Sequence, residues 1–172
     1  MSKKVDNYGL CKFLCEVRDK LQPHTIFYGI GKNKDFVYEN GVSAADILKI
    51  HTYGSAVRQI PIRDAMIGPV QKHKAEICKV YINIFDLISD EKDPVKRASE
   101  MAGRWLVSNV VKKEIQASGF GKWAPLKPAT IRQKQKKGWG NNPMLVASGK
   151  MANAIDNYVD KQLTKNNKLG NM

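Results

Sequence analysis

Residues 123–155 read WAPLKPATIRQKQKKGWGNNPMLVASGKMANAI, and the order of residue types in this stretch decides how the rest of the chain is read. A tryptophan and two prolines come first, and behind Pro128 a short basic helix is expected at 129–137, with Ile131 as its only large apolar anchor. Residues 138–143 must be loop, because Gly, Asn and Pro together oppose both helix and strand. Residues 144–147 are apolar, Ser148 can cap, and Met151, Ala154 and Ile155 mark one face of a further helical turn or two. Lys122 lies just ahead of the stretch and Lys127, Arg132, Lys134, Lys136, Lys137 and Lys150 lie within it, with no acid before Asp156. Two readings of these lysines stand side by side: a solvated helix face, or a surface turned toward DNA or an acidic neighbour. Trp123 and Trp139 are likewise read either as packing residues or as interface anchors, since Trp serves both uses well.

Working outward, residues 94–117 form the longest expected element, a helix of about 35 Å at about 1.5 Å per residue. Pro94 suits its first turn, Asp93 its N-cap, and Gly119 lies beyond its end. Ala98, Met101, Ala102, Trp105 and Leu106 make one apolar stripe, which Val107, Val110, Val111 and Ile115 extend with some drift around the axis. Lys112 and Lys113 oppose the helix dipole, a sufficient structural role. Before it, residues 70–88 read as a second helix with Ile77, Val80, Tyr81, Ile84, Phe85 and Ile88 at three-to-four spacing. Residues 89–93 break the pair into an α-hairpin or a bent helix.

Toward the N-terminus, residues 8–21 read as an amphipathic helix with Leu10, Cys11, Leu14, Cys15 and Val17 near one face, ended by Gln22-Pro23. Residues 25–30, TIFYGI, read as a strand, and residues 36–38 offer its hairpin return. Ser43 is the expected N-cap of a helix running to Thr52, and Gly54 its C-terminal stop. Residues 55–69 read as loop, with Pro61 between Arg58 and Arg63, and a loop of that length suits binding or assembly. Tyr158 and Val159 offer a further strand. The fold expected is α+β: a small antiparallel sheet packed against two long helices, with short helices in the C-terminal region. One domain spans 1–160, with the helix at about 8–21 at its start and a polar tail at 161–172.

The chain has 172 residues, and its 29 Lys+Arg against 16 Asp+Glu give a formal net charge of +13. Such an excess points to a polyanion, an acidic protein surface or an anionic membrane as partner. No apolar run approaches the roughly 18–20 residues of a membrane span. The start, MSKKVDNYG, has no apolar stretch behind its lysines, so a secretory signal is not expected and synthesis is expected in the cytoplasm. Three cysteines argue against a disulfide framework. Cys11, Cys15 and Cys78 are read as buried thiols, because further ligands at zinc spacing are missing. Gly29-Ile30-Gly31-Lys32 fails as a phosphate loop, since the four-residue spacing and the Ser or Thr after the lysine are wanting. His51 has no evident Cys, Ser or carboxylate partner, so it reads as a polar residue at a helix end. No catalytic residue, cofactor or metal is expected.

Set in order, Trp123-Ala-Pro-Leu-Lys-Pro-Ala-Thr-Ile-Arg-Gln-Lys, the Gly-rich loop and Pro143-Met-Leu-Val-Ala-Ser-Gly-Lys-Met-Ala-Asn-Ala-Ile resemble the signature of a tailed-bacteriophage family. These are the virion morphogenesis, or tail completion and neck, proteins, including the minor tail protein Z type. Their pattern is a Trp-x-Pro-Leu-x-Pro-x-Thr block, a basic helix, and a Pro-Leu-hydrophobic-x-Ser/Thr-Gly-x-Leu-x-x-Ser-Ile block. Here Met144 and Met151 stand at the two Leu places and Ala154 at the Ser place. Ile50-His51-Thr52-Tyr53-Gly54 followed by Ile60-Pro61-Ile62-Arg63 is similar to a second element of that family, Ile-His-x-Phe-Gly and a Pro-x-Arg loop. The likeness covers about residues 25–159 and leaves out the first helix.

The resemblance implies a structural virion protein that forms a ring, commonly hexameric, at the head-tail junction. Its expected neighbours are the tail terminator or tail tube and the head connector or head-closure protein, with genome DNA in the lumen and no membrane. Lys127, Arg132, Lys134, Lys136 and Lys137 are expected to face DNA or an acidic partner. Arg58, Pro61, Arg63, Trp123 and Trp139 are expected at subunit interfaces. A tail terminator, a head-closure ring or a DNA-binding module acting off the virion are the alternative readings.

Overall fold

In the computed structural model, which describes residues 24–140, 142–146 and 148–161, strand β1 (His24–Ile30) finds its partner at the far end of the chain. It pairs antiparallel with β2 (Ile155–Lys161), in a register running from His24↔Lys161 to Ile30↔Ile155. The return expected at residues 36–38 is therefore corrected. Residues 31–35 close on themselves instead, with the Lys34 and Asp35 N–H groups both donating to the Gly31 carbonyl at 2.9 Å. Val37 makes only a lone bridge with Ser43. Residues Phe36 and Tyr38 are spent against the core, where their rings meet at 4.9 Å. On the outer face of the sheet the directly paired Phe27 and Tyr158 stack, 4.7 Å between centroids and 6° apart in plane. The expected helix at 8–21, with Cys11 and Cys15, lies outside the described residues, as does the tail beyond Lys161, which itself belongs to β2.

Helix α1 (Ala44–Tyr53) starts where the Ser43 hydroxyl accepts the Asp46 N–H at 3.0 Å and stops at left-handed Gly54, φ 75°. Its Ala44, Leu48 and Thr52, spaced four apart, form the buried edge. The next helices differ from expectation at their boundary. A loop through Pro69 and a single helix from 70 were expected, whereas α2 (Ile67–Lys72) precedes α3 (Lys74–Ile88) across a break at His73. The cause is Asp64, whose carboxylate accepts the N–H groups of Met66, Ile67 and Gly68 at 2.9, 2.8 and 2.7 Å. With those donors satisfied, a helix can begin ahead of Pro69, whose missing N–H costs nothing in a first turn.

The expected long rod is present as α4 (Pro94–Leu106), a π-helical turn (Val107–Val111) and α5 (Lys112–Gln116). Asp93 caps it, accepting the Lys96 N–H at 3.2 Å. The wider turn also accounts for the drift of its apolar stripe: one extra residue resets the phase, so Leu106, Val107, Val110, Val111 and Ile115 are all buried. Of these, Leu106, Val107, Val111 and Ile115 form the core with Ala44 and Leu48 of α1, Ala65, Trp123, Leu145, Met151 and Ile155. The sheet lies on α4, where Gly103 admits Ile26 and Asn157 close to the helix backbone. Helix α3 packs along α4 as well, completing the α-hairpin.

After α5 the chain turns through Ser118–Gly121, then α6 (Pro128–Lys136) and α7 (Lys150–Ala154) lead into β2. Gly149, left-handed at φ 78°, precedes α7, and the Ser148 side chain does not cap it. The whole is an α+β fold: a small antiparallel sheet, two long antiparallel helices and short C-terminal helices. Among the described residues no helix is long and apolar enough to cross a membrane.

Candidate interaction surfaces

Three of the residues expected to meet a partner are structural, and they lie at the two ends of α6. Arg63 is 5% exposed. Its Nε and Nη2 donate to the Ala124 carbonyl at 3.3 and 3.1 Å, and Nη2 also to the Pro125 carbonyl at 3.3 Å. Its own N–H donates to the His51 carbonyl at 2.7 Å. Lys134, expected to face DNA, is 8% exposed and its ammonium donates to the Asn142 and Pro143 carbonyls at 2.7 and 2.8 Å. Trp123 is a core residue. Burial turns Arg63 and Lys134 inward, away from the contacts expected of them, and Trp123 takes the first of its two readings, packing.

The physical reason lies in the prolines. Pro125, Pro128 and Pro143 supply carbonyls without N–H groups, so the loops on either side of α6 carry more acceptors than backbone donors. Two long cationic side chains make up the difference, Arg63 at the entry to α6 and Lys134 at its exit. Burial lowers the pKa of both. The blocks around residues 50–63 and 123–143, far apart in sequence, thus meet in one clamp.

The remaining predicted cations are exposed: Lys127, Arg132, Lys136 and Lys137. The Lys137 ammonium sits 5.3 Å from the centroid of the Trp139 ring, a cation-π contact. Trp139 is half-buried at the rim of an open groove of about 500 Å³ that it shares with Phe36, Tyr38, Lys137 and Lys150. Burial raises the pKa of Tyr38. Arg58 is exposed in a tight hairpin, closed between Ser55 and Ile60, that sequence patterning did not anticipate, and Pro61, half-buried, follows it. Ser55 and Ile60 exchange two backbone hydrogen bonds of 2.9 Å, and Gln59 adopts the left-handed conformation at φ 50°. Val57 stands at its tip, 97% exposed, with Tyr53 and Ile62 exposed at its base. Cys78, read as a buried thiol, is exposed on α3.

His51 lies under α6, half-buried, and its Nδ1 has no hydrogen-bond partner among the described residues. Burial first, and the neighbouring Arg63 charge second, push its pKa down from 6.5 to about 4. As pH falls, the unfolded chain therefore takes up this proton before the folded one does. The stabilisation is fully present above about pH 6.5 and lost as pH falls toward 4. Discounted for partial exposure, the loss should be on the order of 1–2 kcal/mol. Urea unfolding at pH 7 and pH 4.5 should show His51→Asn narrowing the gap between the two midpoints; an unchanged gap would place the acid sensitivity elsewhere.

No family model, curated protein or solved structure matches this chain.

Proposed function

We propose that this chain is a structural virion protein of a tailed phage, the subunit of a hexameric ring at the head-tail junction that joins the tail to the head connector and lines the DNA passage. The observation that carries this reading is the Ser55–Ile60 hairpin. Paired across its base and backed by the Arg63 clamp, it holds Val57 and Arg58 out in water in a fixed conformation. An exposed apolar knob adds nothing to the stability of an isolated chain, and it is rewarded when a neighbour covers it. The sequence-independent charge of +13 suits contact with duplex DNA through phosphates, without base reading. The place in the virion comes from the resemblance of the Trp123 and Pro143 blocks, and the clamp that joins those blocks gives them an architectural role.

Imaging the neck of the intact particle is the test. A ring of subunits with this fold is expected between tail tube and connector. A map in which that space is filled without it overturns the reading.

A further inference from the structure

We infer that the outer face of α6 and the acidic end of α3 are the two halves of one contact between neighbouring copies of this chain. The inference rests on the ring reading and assigns its subunit contact.

Helix α3 runs for four turns without one buried side chain. Leu87, near its end, is 85% exposed and is flanked by Asp86, Asp90 and Glu91, all exposed. Between Lys79 and Lys96 the chain sets Asp86, Asp90, Glu91 and Asp93 against Lys92 alone. In a chain of net charge +13 this is a local negative pole around an uncovered leucine. Helix α6 presents the reverse. Arg132 and Lys136 share its outer face one turn apart, Lys127 lies at its start, and Ile131 is 41% exposed beside them.

Among the described residues, no ion pair engages Asp86, Asp90, Glu91, Lys127, Arg132 or Lys136. The like charges of Arg132 and Lys136 at i,i+4 weaken α6 when it stands alone, a cost that an acidic neighbour removes. Each patch thus has an apolar centre and a charged rim, and the rims are of opposite sign. Complementary rims of this kind select partner and register more than they add raw affinity. A two-fold dimer would satisfy both patches only by making the α3–α6 contact twice over one shared face. Head-to-tail pairing satisfies both patches, and repeated around an axis it closes a ring.

The test is charge reversal on the full chain, read by mass photometry at low salt. Asp86→Lys/Glu91→Lys and Arg132→Glu/Lys136→Glu change exposed residues, so each variant should keep the wild-type unfolding midpoint. Each alone should assemble at least about a hundredfold more weakly, since like charges then face each other. Mixed in equal amounts, the two variants should recover rings, because alternating subunits restore opposite rims at every contact and six is an even number. Rings that persist in either variant alone, or a mixture that fails to recover them, overturn this contact and leave the ring reading standing. Loss of DNA retention with assembly intact in Arg132→Glu/Lys136→Glu overturns it in favour of a DNA-facing α6. A wild-type chain that stays monomeric removes the ring reading itself.

Discussion

Gly119→Ala should destabilise the fold by about 3 kcal/mol, combining a left-handed backbone penalty of about 1 kcal/mol with overpacking of about 1–3 kcal/mol. Gly119 has φ 71°, and a methyl group placed on it would lie 2.5 Å from both Cδ1 and Cγ of Trp123 and 2.6 Å from its Nε1. The indole cannot retreat, because it is itself part of the core beside α5. Gly121→Ala is the control: φ is 79° and nothing lies within 4 Å of the added carbon, so only the backbone penalty applies. Urea unfolding of the two variants should therefore differ by about 2 kcal/mol, which is the overpacking share. Equal midpoints would mean that the Trp123 ring shifts freely and that the turn is not a packing constraint.

The same turn shows which parts of the fold sequence reasoning can reach. The ends of α1 and α4 were legible because their determinants are local: Ser43 and Gly54, Asp93 and Pro94 act within a few residues of themselves. The long rod was legible for a similar reason, although the phase change of its stripe announced the π-helical turn only as drift. The partner of β1 was not. Residues 36–38 and 155–161 are both plausible strands, and the choice depends on Phe36 and Tyr38 being needed in the core, which no local pattern records. Asp64 was missed because Pro61 and Pro69 signal loop strongly, while a side chain that caps three N–H groups restores a helix between them.

The candidate site was legible in its blocks and misread in its individual side chains. The Trp123 block, the basic helix and the Pro61 loop are where the sequence indicated, and they converge. Within them, Arg63 and Lys134 carry full charges and so read as surface, as most such residues are. Their burial follows from a shortage of backbone donors that becomes visible only when the proline-rich loops are seen folded around α6. Conversely, Val57 and Leu87 are apolar, and the structure leaves both in water. In both directions the failure lies with residues whose setting is fixed by other segments. That is where an interface or an internal clamp is expected to depart from local rules.

Arg63→Met carries the second large effect. Methionine keeps much of the aliphatic volume and removes every donor, so the Ala124 and Pro125 carbonyls lose their cationic partner. Ala124 and Pro125 are exposed residues, so water takes over part of the pairing. Losing hydrogen bonds to a charged group, about 1.5–3 kcal/mol, less the relief from burying the guanidinium, leaves an expected net loss of about 2 kcal/mol. Arg63→Lys should fall between wild type and Arg63→Met, since one ammonium cannot reproduce the fork that reaches both carbonyls. A second reading separates loss of the clamp from general loosening. Arg63 is one of the two causes holding the His51 pKa down, so in folded Arg63→Met the imidazole should titrate above its present value of about 4. It should remain below 6.5, because burial, the larger cause, persists. If Arg63→Met matches wild type in urea, the prolines' carbonyls have found other donors and the cation does not hold the two blocks together. If stability falls while the His51 titration stays where it was, the charge is not felt across the 2.7 Å backbone bond that joins the two residues, and His51 is held neutral by burial alone.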